Sequence, residues 1–291
     1  MFKEAWAFVC VHPVNWWWSE QLCLFTAGVW TVFIAVEGMF LQTFFFFTTL
    51  VLILRFLGKR YNIKHVWAYM LLGQIVAISV ASNLFYLTLV LSELSVSNRQ
   101  NLSLKKTVSV RLVVSVLLSL VTVALSPFTS PKTFLPNLLV MHVLLFVPLI
   151  SITTSSSPAP FSVNLNTLYR IIHLACAGIH IRTVIAAIGS LQATSKSPNI
   201  FIEALTVLYS HPAQSSIGWD IIWTSLSFIV WILLRPHGSG MLNKYYYGIA
   251  MYLMLATPVA SIAVTAPYAL QPREEVQCDV RTDSEEEKKI K

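Results

Sequence analysis

Two acidic residues, Glu37 and Asp220, lie within long apolar stretches of the chain. Asp220 is near one end of the run Ile217–Leu234, which is long enough to cross the hydrocarbon core of a membrane. A carboxylate inside such a segment costs about 3 kcal/mol on an insertion scale, so it usually faces a protein-lined cavity or a partner group. Both acids are therefore candidates for acid–base chemistry.

Aromatic side chains accompany both acids. Phe33 and Trp30 lie four and seven residues before the first acid, and so share a helix face with it. Trp219 adjoins the second acid, and Trp223 follows it by nearly one turn. An acid in such surroundings could protonate an apolar substrate, and the aromatic faces could stabilise the resulting cation by cation–π attraction.

A purely structural role is the alternative interpretation for each acid. Asp220 could cap its own helix with its carboxylate in the polar headgroup layer. Glu37 could instead be hydrogen-bonded to a neighbouring helix, as buried carboxylates often are. The sequence leaves both alternatives open.

Other polar side chains inside the apolar segments could transfer protons or contact a ligand. His142 and His173 are candidate bases. Gln74 and Asn83 are candidates for substrate contact, although hydrogen bonding between helices would equally explain them. A further group in the segment Leu168–Leu191 could supply counter-charges to the acids, contact an oxygen-rich ligand or extend to the membrane surface; it comprises Arg170, His173, His180 and Arg182.

No metal site or cofactor is expected. His173 and His180 are too far apart along one helix to chelate a metal by themselves, and no HExxH motif accompanies them. The cysteines form no CxxC pair, which argues against a zinc site or a disulfide framework; they are Cys10, Cys23, Cys176 and Cys278.

The composition is that of a multi-pass membrane protein. Of the 291 residues, 56% are hydrophobic and only 11% are charged, and the mean hydropathy is +0.67. The formal net charge of +7 resides in loops and tail. It therefore indicates membrane topology and not a nucleic-acid surface.

The apolar segments predict an all-α, polytopic transmembrane bundle with seven spans. We place the transmembrane domain at residues 21–268, after an interfacial segment at residues 1–20 and before a disordered, charged, cytosolic tail at residues 269–291. A break near Gly38 in the long first run would make eight spans. The predicted spans are Leu22–Phe56, Val66–Leu94, Thr107–Ser126, Phe134–Ile152, Leu168–Leu191, Ile217–Leu234 and Lys244–Pro267.

Small residues mark one face of the second predicted span. Gly73, Ala77 and Ala81 recur every four residues. On a continuous helix this stripe would allow a neighbouring helix to approach closely.

The end of the chain predicts a location. Lys288 and Lys289 stand fourth and third from the last residue, as in the dilysine retrieval signal of endoplasmic reticulum membrane proteins. Such a signal is read on the cytosolic side by the coat-protein retrieval machinery. The positive-inside rule gives conflicting support for this orientation. The cluster Arg55–Lys64 would be cytosolic, as the rule requires, whereas Lys105 and Lys106 would be lumenal.

Several reaction classes are excluded by missing motifs. The chain has no phosphate-binding GxxxxGK[ST], no GxSxG nucleophile elbow and no DDxxD pair to hold a magnesium diphosphate. If the protein handles isoprenoids, it does not ionise a diphosphate with metal. Its chemistry would have to begin by protonation.

Three stretches resemble fungal membrane-bound meroterpenoid terpene cyclases of the ascofuranone and macrophorin type. They are AVEGMFLQ (Ala35–Gln42), HVWAYMLLGQIVAISVASNLF (His65–Phe85) and HPAQSSIGWD (His211–Asp220). The resemblance implies an isomerase- or lyase-type enzyme that protonates a terminal epoxide or alkene of an apolar prenylated substrate and cyclises it.

The competing hypothesis is a non-enzymatic multi-pass protein of the endoplasmic reticulum: a small transporter, a lipid-handling protein or a complex subunit. Intramembrane acids and histidines can equally form a proton relay. The sequence shows no convincing internal repeat and no paired broken helices in matching halves, which argues against a transporter.

Overall fold

The computed structural model describes residues 13–36, 66–94, 107–151, 162–194, 199–234 and 241–271. Almost all of these residues are helical, which confirms the all-α prediction. In chain order the elements are α1 (Pro13–Val36), α2 (Val66–Ile75), α3 (Ile78–Leu94), β1 (Thr107–Ser109), α4 (Val110–Leu125), α5 (Phe134–Ser151), β2 (Ser162–Asn164), α6 (Leu165–Thr194), α7 (Ile200–Ser210), α8 (Pro212–Leu234), α9 (Met241–Ala260) and α10 (Ile262–Leu270).

Four helices in the described part of the chain are long and apolar enough to cross a membrane. They are Pro13–Val36, Val110–Phe128, Leu165–Ala193 and Pro212–Leu234. Three shorter apolar helices accompany them, at Ile78–Val90, Phe134–Val147 and Tyr247–Ala260. The chain is therefore a multi-pass helical membrane protein, but the prediction of seven spans is not confirmed.

Helix α1 lies at the centre of the bundle. Pro13 occupies its first turn, where a missing N–H costs nothing, and its middle, Phe25–Trp30, is π-helical. Trp16 and Trp17 are buried. Residues 13–20 thus belong to a helix whose tryptophans pack inside the bundle, in the part of the chain where we predicted an interfacial segment; residues 1–12 lie outside the described residues.

The predicted span Val66–Leu94 is wrong, because the chain reverses at Val76–Ala77. The Tyr69 hydroxyl lies 3.0 Å from the Thr88 hydroxyl, whereas one continuous helix would separate these residues by about 28 Å. Helices α2 and α3 therefore form a tight antiparallel pair, which we call the first hairpin.

The small-residue stripe takes its meaning from this reversal. A Cβ placed on Gly73 would lie 3.4 Å from the Cβ of Ala81 and 3.0 Å from Cδ1 of Ile78. The stripe therefore lets the two arms of one hairpin approach each other. Gly73 and Ala81 contact each other and do not provide the contact between separate spans that we expected.

The predicted span Lys244–Pro267 is broken as well. Ser261, with φ 72°, separates α9 from α10. The Thr257 and Thr265 hydroxyls lie 2.8 Å apart, and the rings of Tyr252 and Tyr268 are 5.1 Å apart between centroids. In a continuous helix the two tyrosines would be about 24 Å apart. Helices α9 and α10 form the second hairpin, with Ser261 at its tip.

Four of the other predicted spans agree with helices, and the fifth, Leu22–Phe56, is described only as far as Val36. Residues 110–125, 134–151 and 165–194 are helical as expected, while Thr107–Ser109 forms a short antiparallel pairing with Ser162–Asn164. The amide of Asn137 joins α5 to α4 by donating to the Thr122 carbonyl at 3.0 Å. A short turn at His211 joins α7 to α8.

Side-chain contacts fix the directions of the helices around α1. The Gln214 amide donates to the Asn15 carbonyl at 3.0 Å, and Phe33 meets Trp231 at a centroid distance of 5.2 Å, so α8 runs parallel to α1. A Cβ on Gly28 would touch Ile172 at 3.1 Å. Since the start of α1 packs near the end of α6, these two helices are antiparallel.

We predict that cysteines introduced at Gly73 and Ala81 will form a disulfide. The required Cβ separation of 3.5–4.5 Å matches the hairpin, whereas a continuous helix would hold the residues about 12 Å apart. The four native cysteines are first replaced, the protein is oxidised in detergent, and linked peptides are identified by mass spectrometry. A G73C/L84C pair is the control. If both thiols of G73C/A81C stay open to alkylation after oxidation, the hairpin is wrong.

Candidate acid–base site

Glu20 is the most deeply buried acid in the described part of the chain. Its side chain is 0% exposed, near the start of α1 and in contact with α6. Sequence reasoning missed it because it lies in the segment that we expected at the membrane surface. The sequence offered no clear signal for it, because a cluster of tryptophans is expected both in the interior of a bundle and in an interfacial belt.

His180 is the partner of this acid. Its Nδ1 lies 3.4 Å from Oε2 of Glu20, and its Nε2 lies 3.2 Å from the carbonyl oxygen of Val259, next to the tip of the second hairpin. The ring of Trp17 meets the imidazole edge-on at a centroid distance of 5.7 Å. One of the three roles predicted for the group that includes His180 was to supply a counter-charge to Glu37 or Asp220, and in the structure His180 contacts Glu20.

These two contacts fix how many hydrogens the pair must hold. A carbonyl oxygen can only accept, so the bond to Val259 requires a hydrogen on Nε2 of His180. The remaining nitrogen and the Glu20 oxygen need one further hydrogen between them. It belongs either to the carboxyl group, which then donates to Nδ1, or to an imidazolium, which then donates to the carboxylate. In either form the pair stores one transferable proton.

Water has little access to this proton. Cys176, one turn before His180, is fully buried beside the pair. Oε1 of Glu20 is buried and has no hydrogen-bond partner among the described residues. An acid in such surroundings interacts strongly with whatever polar or cationic group reaches it, because the local dielectric constant is low.

Asp220 has a different function in the fold. Its carboxylate oxygens accept from the backbone N–H groups of Ile78 and Ser79 at 3.1 and 2.8 Å. These N–H groups open α3, where the first turn of a helix lacks internal partners. Asp220 therefore caps the first hairpin. The alternative of a capping role is the one that the contacts support, although the capped helix is α3 and not its own.

The tryptophans near Asp220 face outward. Trp219 is 39% exposed and Trp223 is 56% exposed. Trp219 contacts the ring of Tyr209 on α7 at 6.5 Å between centroids. The rings predicted to surround Asp220 therefore lie on the outer surface of the bundle.

Trp30 and Phe33 have the buried aromatic environment that the sequence predicted. Trp30 is 0% exposed and meets Phe85 edge-on at 5.5 Å. Tyr86 stacks on Trp231 at 5.1 Å. We call these rings the aromatic cluster; its members are Trp30, Phe33, Phe85, Tyr86, Phe228 and Trp231. Glu37, which the sequence placed beside Trp30 and Phe33, lies outside the described residues.

Two predicted histidines are held in one tautomer. Nδ1 of His173 contacts the Val264 carbonyl at 2.8 Å, and Nδ1 of His142 contacts the Leu138 carbonyl at 2.7 Å. Each Nδ1 must carry the hydrogen, so in the neutral imidazole Nε2 keeps its lone pair and can act as a base. His173 holds α10, whereas His142 bonds within its own helix.

The remaining polar candidates make local contacts. Gln74 reaches the sulfur of Met70 at 3.7 Å, and the exposed Asn83 donates to the Ser79 carbonyl at 2.8 Å. Arg182 donates to the Ala124 carbonyl at 2.9 Å and lies over the ring of Phe128. Arg182 therefore does not pair with Asp220, and Arg170 is exposed.

The described residues contain no group of three or more histidine, cysteine, aspartate or glutamate side chains arranged to hold a metal ion. Glu20, His180 and Cys176 are close together, but Glu20 bonds to His180, and His180 also bonds to the Val259 carbonyl. What this arrangement can do chemically is hold and transfer a proton.

Residues 168–275 match the model of a family described as a protein of unknown function, DUF2834. The match covers less than half of the chain and extends from α6 through α10, so it includes His180 and the second hairpin but not Glu20. Neither the curated proteins nor the solved structures contain a match to this chain.

We predict that Asp220→Ala lowers the free energy of unfolding by about 1–3 kcal/mol, because two N–H groups at the start of α3 lose their acceptor. Asp220→Asn keeps one acceptor oxygen and should fall between the wild type and the alanine variant. Thermal unfolding in detergent gives the order. Ser225→Ala is the control, since that hydroxyl bonds only to its own helix. Equal stability of the wild type and Asp220→Ala would refute the capping role.

Proposed function

We propose that this chain is a membrane-bound terpene cyclase that protonates a terminal epoxide or alkene of a prenylated substrate without a metal ion. The observation that carries the proposal is the buried Glu20–His180 pair, which holds one transferable proton inside an apolar bundle. The resemblance of three stretches to fungal meroterpenoid cyclases suggests the substrate class.

The first step would use the proton of this pair. The substrate oxygen or alkene carbon takes the hydrogen, a new O–H or C–H bond forms, and the pair is left with one proton fewer. The prenyl chain is as apolar as lipid and would enter the bundle from the bilayer. Exclusion of water from the pair prevents loss of the proton to solvent before the substrate accepts it.

The positive charge that develops along the substrate needs stabilisation. The aromatic cluster begins ten residues after Glu20 on α1, and an aromatic face contributes about 2 kcal/mol or more to a cation in dry surroundings. A base then removes a proton from the last carbocation and forms an alkene. His173 is a candidate for this base because its Nε2 lone pair is not used by the hydrogen bond to Val264.

This assignment changes the roles expected of the other acids. Asp220 positions the first hairpin and does not donate the proton, because both of its oxygens already accept backbone N–H groups. Glu37, which lies outside the described residues, stays a predicted acid or base. We also propose that the carboxyl end is cytosolic and that the terminal lysines, which lie outside the described residues, retain the protein in the endoplasmic reticulum.

A proton-coupled carrier is the second candidate, and one observation favours it. The chain contains two broken helical hairpins, one towards each end of the described residues; Asp220 caps the helix after the first break, and His180, the partner of Glu20, bonds beside the second. Discontinuous helices that meet near the middle of a bundle are typical of substrate and ion sites in transporters. The same proton pair would then be a relay.

We predict that membranes from a host expressing the full chain will cyclise an epoxidised prenyl-phenol, and that Glu20→Gln will reduce this activity by at least about a hundredfold, as expected on loss of a general acid. Product is detected by liquid chromatography and mass spectrometry. A new product isomeric with the substrate supports cyclisation.

Two further variants sharpen this test. Glu20→Asp keeps an acid and should retain part of the activity, whereas Glu203→Gln changes an acid of α7 outside the pair and should retain all of it. An unchanged rate in folded Glu20→Gln would remove the pair from the chemistry. Substrate-driven proton uptake by vesicles, without any new product, would favour the carrier.

A further inference from the structure

Two histidines of α6 bond to the second hairpin, one on each side of its tip. His180 donates from Nε2 to the Val259 carbonyl at 3.2 Å, and His173 donates from Nδ1 to the Val264 carbonyl at 2.8 Å. Val259 is the next-to-last residue of α9, so its carbonyl has no partner within that helix. His180 supplies the hydrogen bond that this carbonyl needs in an apolar environment.

The tip between these two bonds has a strained backbone. Ser261 has φ 72° and ψ 147°, a region that residues with a Cβ rarely adopt. Pro258 and Pro267 lie inside α9 and α10, and each removes one helical hydrogen bond. Contacts with the surrounding helices hold this strained conformation in place, and the bond from His180 to the Val259 carbonyl is one of these contacts.

The proton count of the pair decides whether that bond exists. While the pair keeps its proton, Nε2 carries a hydrogen and donates to Val259. When the proton has left, an ionised Glu20 and a neutral His180 remain, with a single N–H on the ring. The carboxylate is a stronger acceptor than a carbonyl, so the hydrogen moves to Nδ1. Nε2 then presents a lone pair to the Val259 oxygen, and the bond is lost.

We propose that the second hairpin is a proton-operated latch, closed while the Glu20–His180 pair holds its proton and released once that proton has been given up. The latch rests on the proposed function for its use, since release after donation would open the bundle for product exit and re-protonation. The latch itself depends only on the hydrogen bonds that join Glu20, His180 and Val259.

Other ionisable groups around the pair do not replace it in this role. On α6, His173 bonds to Val264, and Arg182 bonds to Ala124. Asp220 of α8 is held by α3, and Tyr268 of α10 faces Tyr252 of α9. Glu203 lies in the first turn of α7, which packs against α1, and Arg111 is an exposed residue at the start of α4. Cys176 interacts electrostatically with Glu20. Replacing Cys176 with alanine therefore checks that the Glu20–His180 pair, and not the thiol, controls the hairpin.

Hydrogen–deuterium exchange of the full chain in lipid nanodiscs tests the latch. Peptides that cover residues 257–265 are compared between mildly acidic and mildly alkaline buffer, in wild type and in Glu20→Gln. The glutamine amide can donate to Nδ1 at any pH, so Nε2 keeps its hydrogen and the variant stays latched. Comparison with Glu20→Gln at the same pH removes the chemical effect of pH on exchange. Relative to this variant, the wild type should exchange about tenfold faster in alkaline buffer and at the same rate in acidic buffer.

His180→Phe gives the opposite expectation, because its tip lacks the donor and should exchange rapidly in both buffers. Peptides from α4 should not differ among the three proteins, which checks that the variants fold. If wild type and Glu20→Gln show the same exchange at both pH values, there is no latch. This readout needs no substrate: failure of the cyclisation assay alone would refute the enzyme and leave the latch, and equal exchange with intact activity would do the reverse.

Discussion

In a membrane, every backbone N–H and C=O that a broken helix exposes must find a partner within the protein. This chain breaks two helices, and at each break a side chain of another helix supplies a missing hydrogen-bond partner. Asp220 accepts from the N–H groups that open α3, and His180 donates to a carbonyl that ends α9. The polar residues of the bundle are placed by this requirement.

The two side chains differ in what they can do afterwards. Asp220 accepts at both oxygens and is fully used by its hairpin. His180 uses one nitrogen for its hairpin and the other for Glu20, so the same imidazole joins a backbone contact to a proton store. A change of one proton at Glu20 therefore has a structural consequence at Val259. This coupling would serve an enzyme that must admit an apolar substrate, and it would also serve a carrier.

Sequence patterns predicted the helical class, the membrane environment and the approximate bounds of α4, α5, α6 and α8, because these depend on long apolar runs. They failed at the two hairpins, since neither Val76–Ala77 nor Ser261 has the glycine or proline turn that usually marks a reversal. They identified Trp30 and Phe33 as buried rings but not Glu20, because burial of an acid depends on partners 160 residues away in the sequence. Asp220 was recognised as unusual, yet only the fold reveals which helix it caps.

Nitrogen NMR of His180 would test the central claim most directly. In protein labelled with ¹⁵N-histidine and assigned with a His180 variant, we expect Nε2 to carry a hydrogen in neutral buffer. Once the pair has lost its proton in alkaline buffer, Nε2 should be bare and Nδ1 should be the protonated nitrogen of the ring. In Glu20→Gln the signal of Nε2 should stay that of a protonated nitrogen throughout. A bare Nε2 in neutral buffer, or the same behaviour with and without the Glu20 carboxyl group, would contradict a proton shared between these two residues.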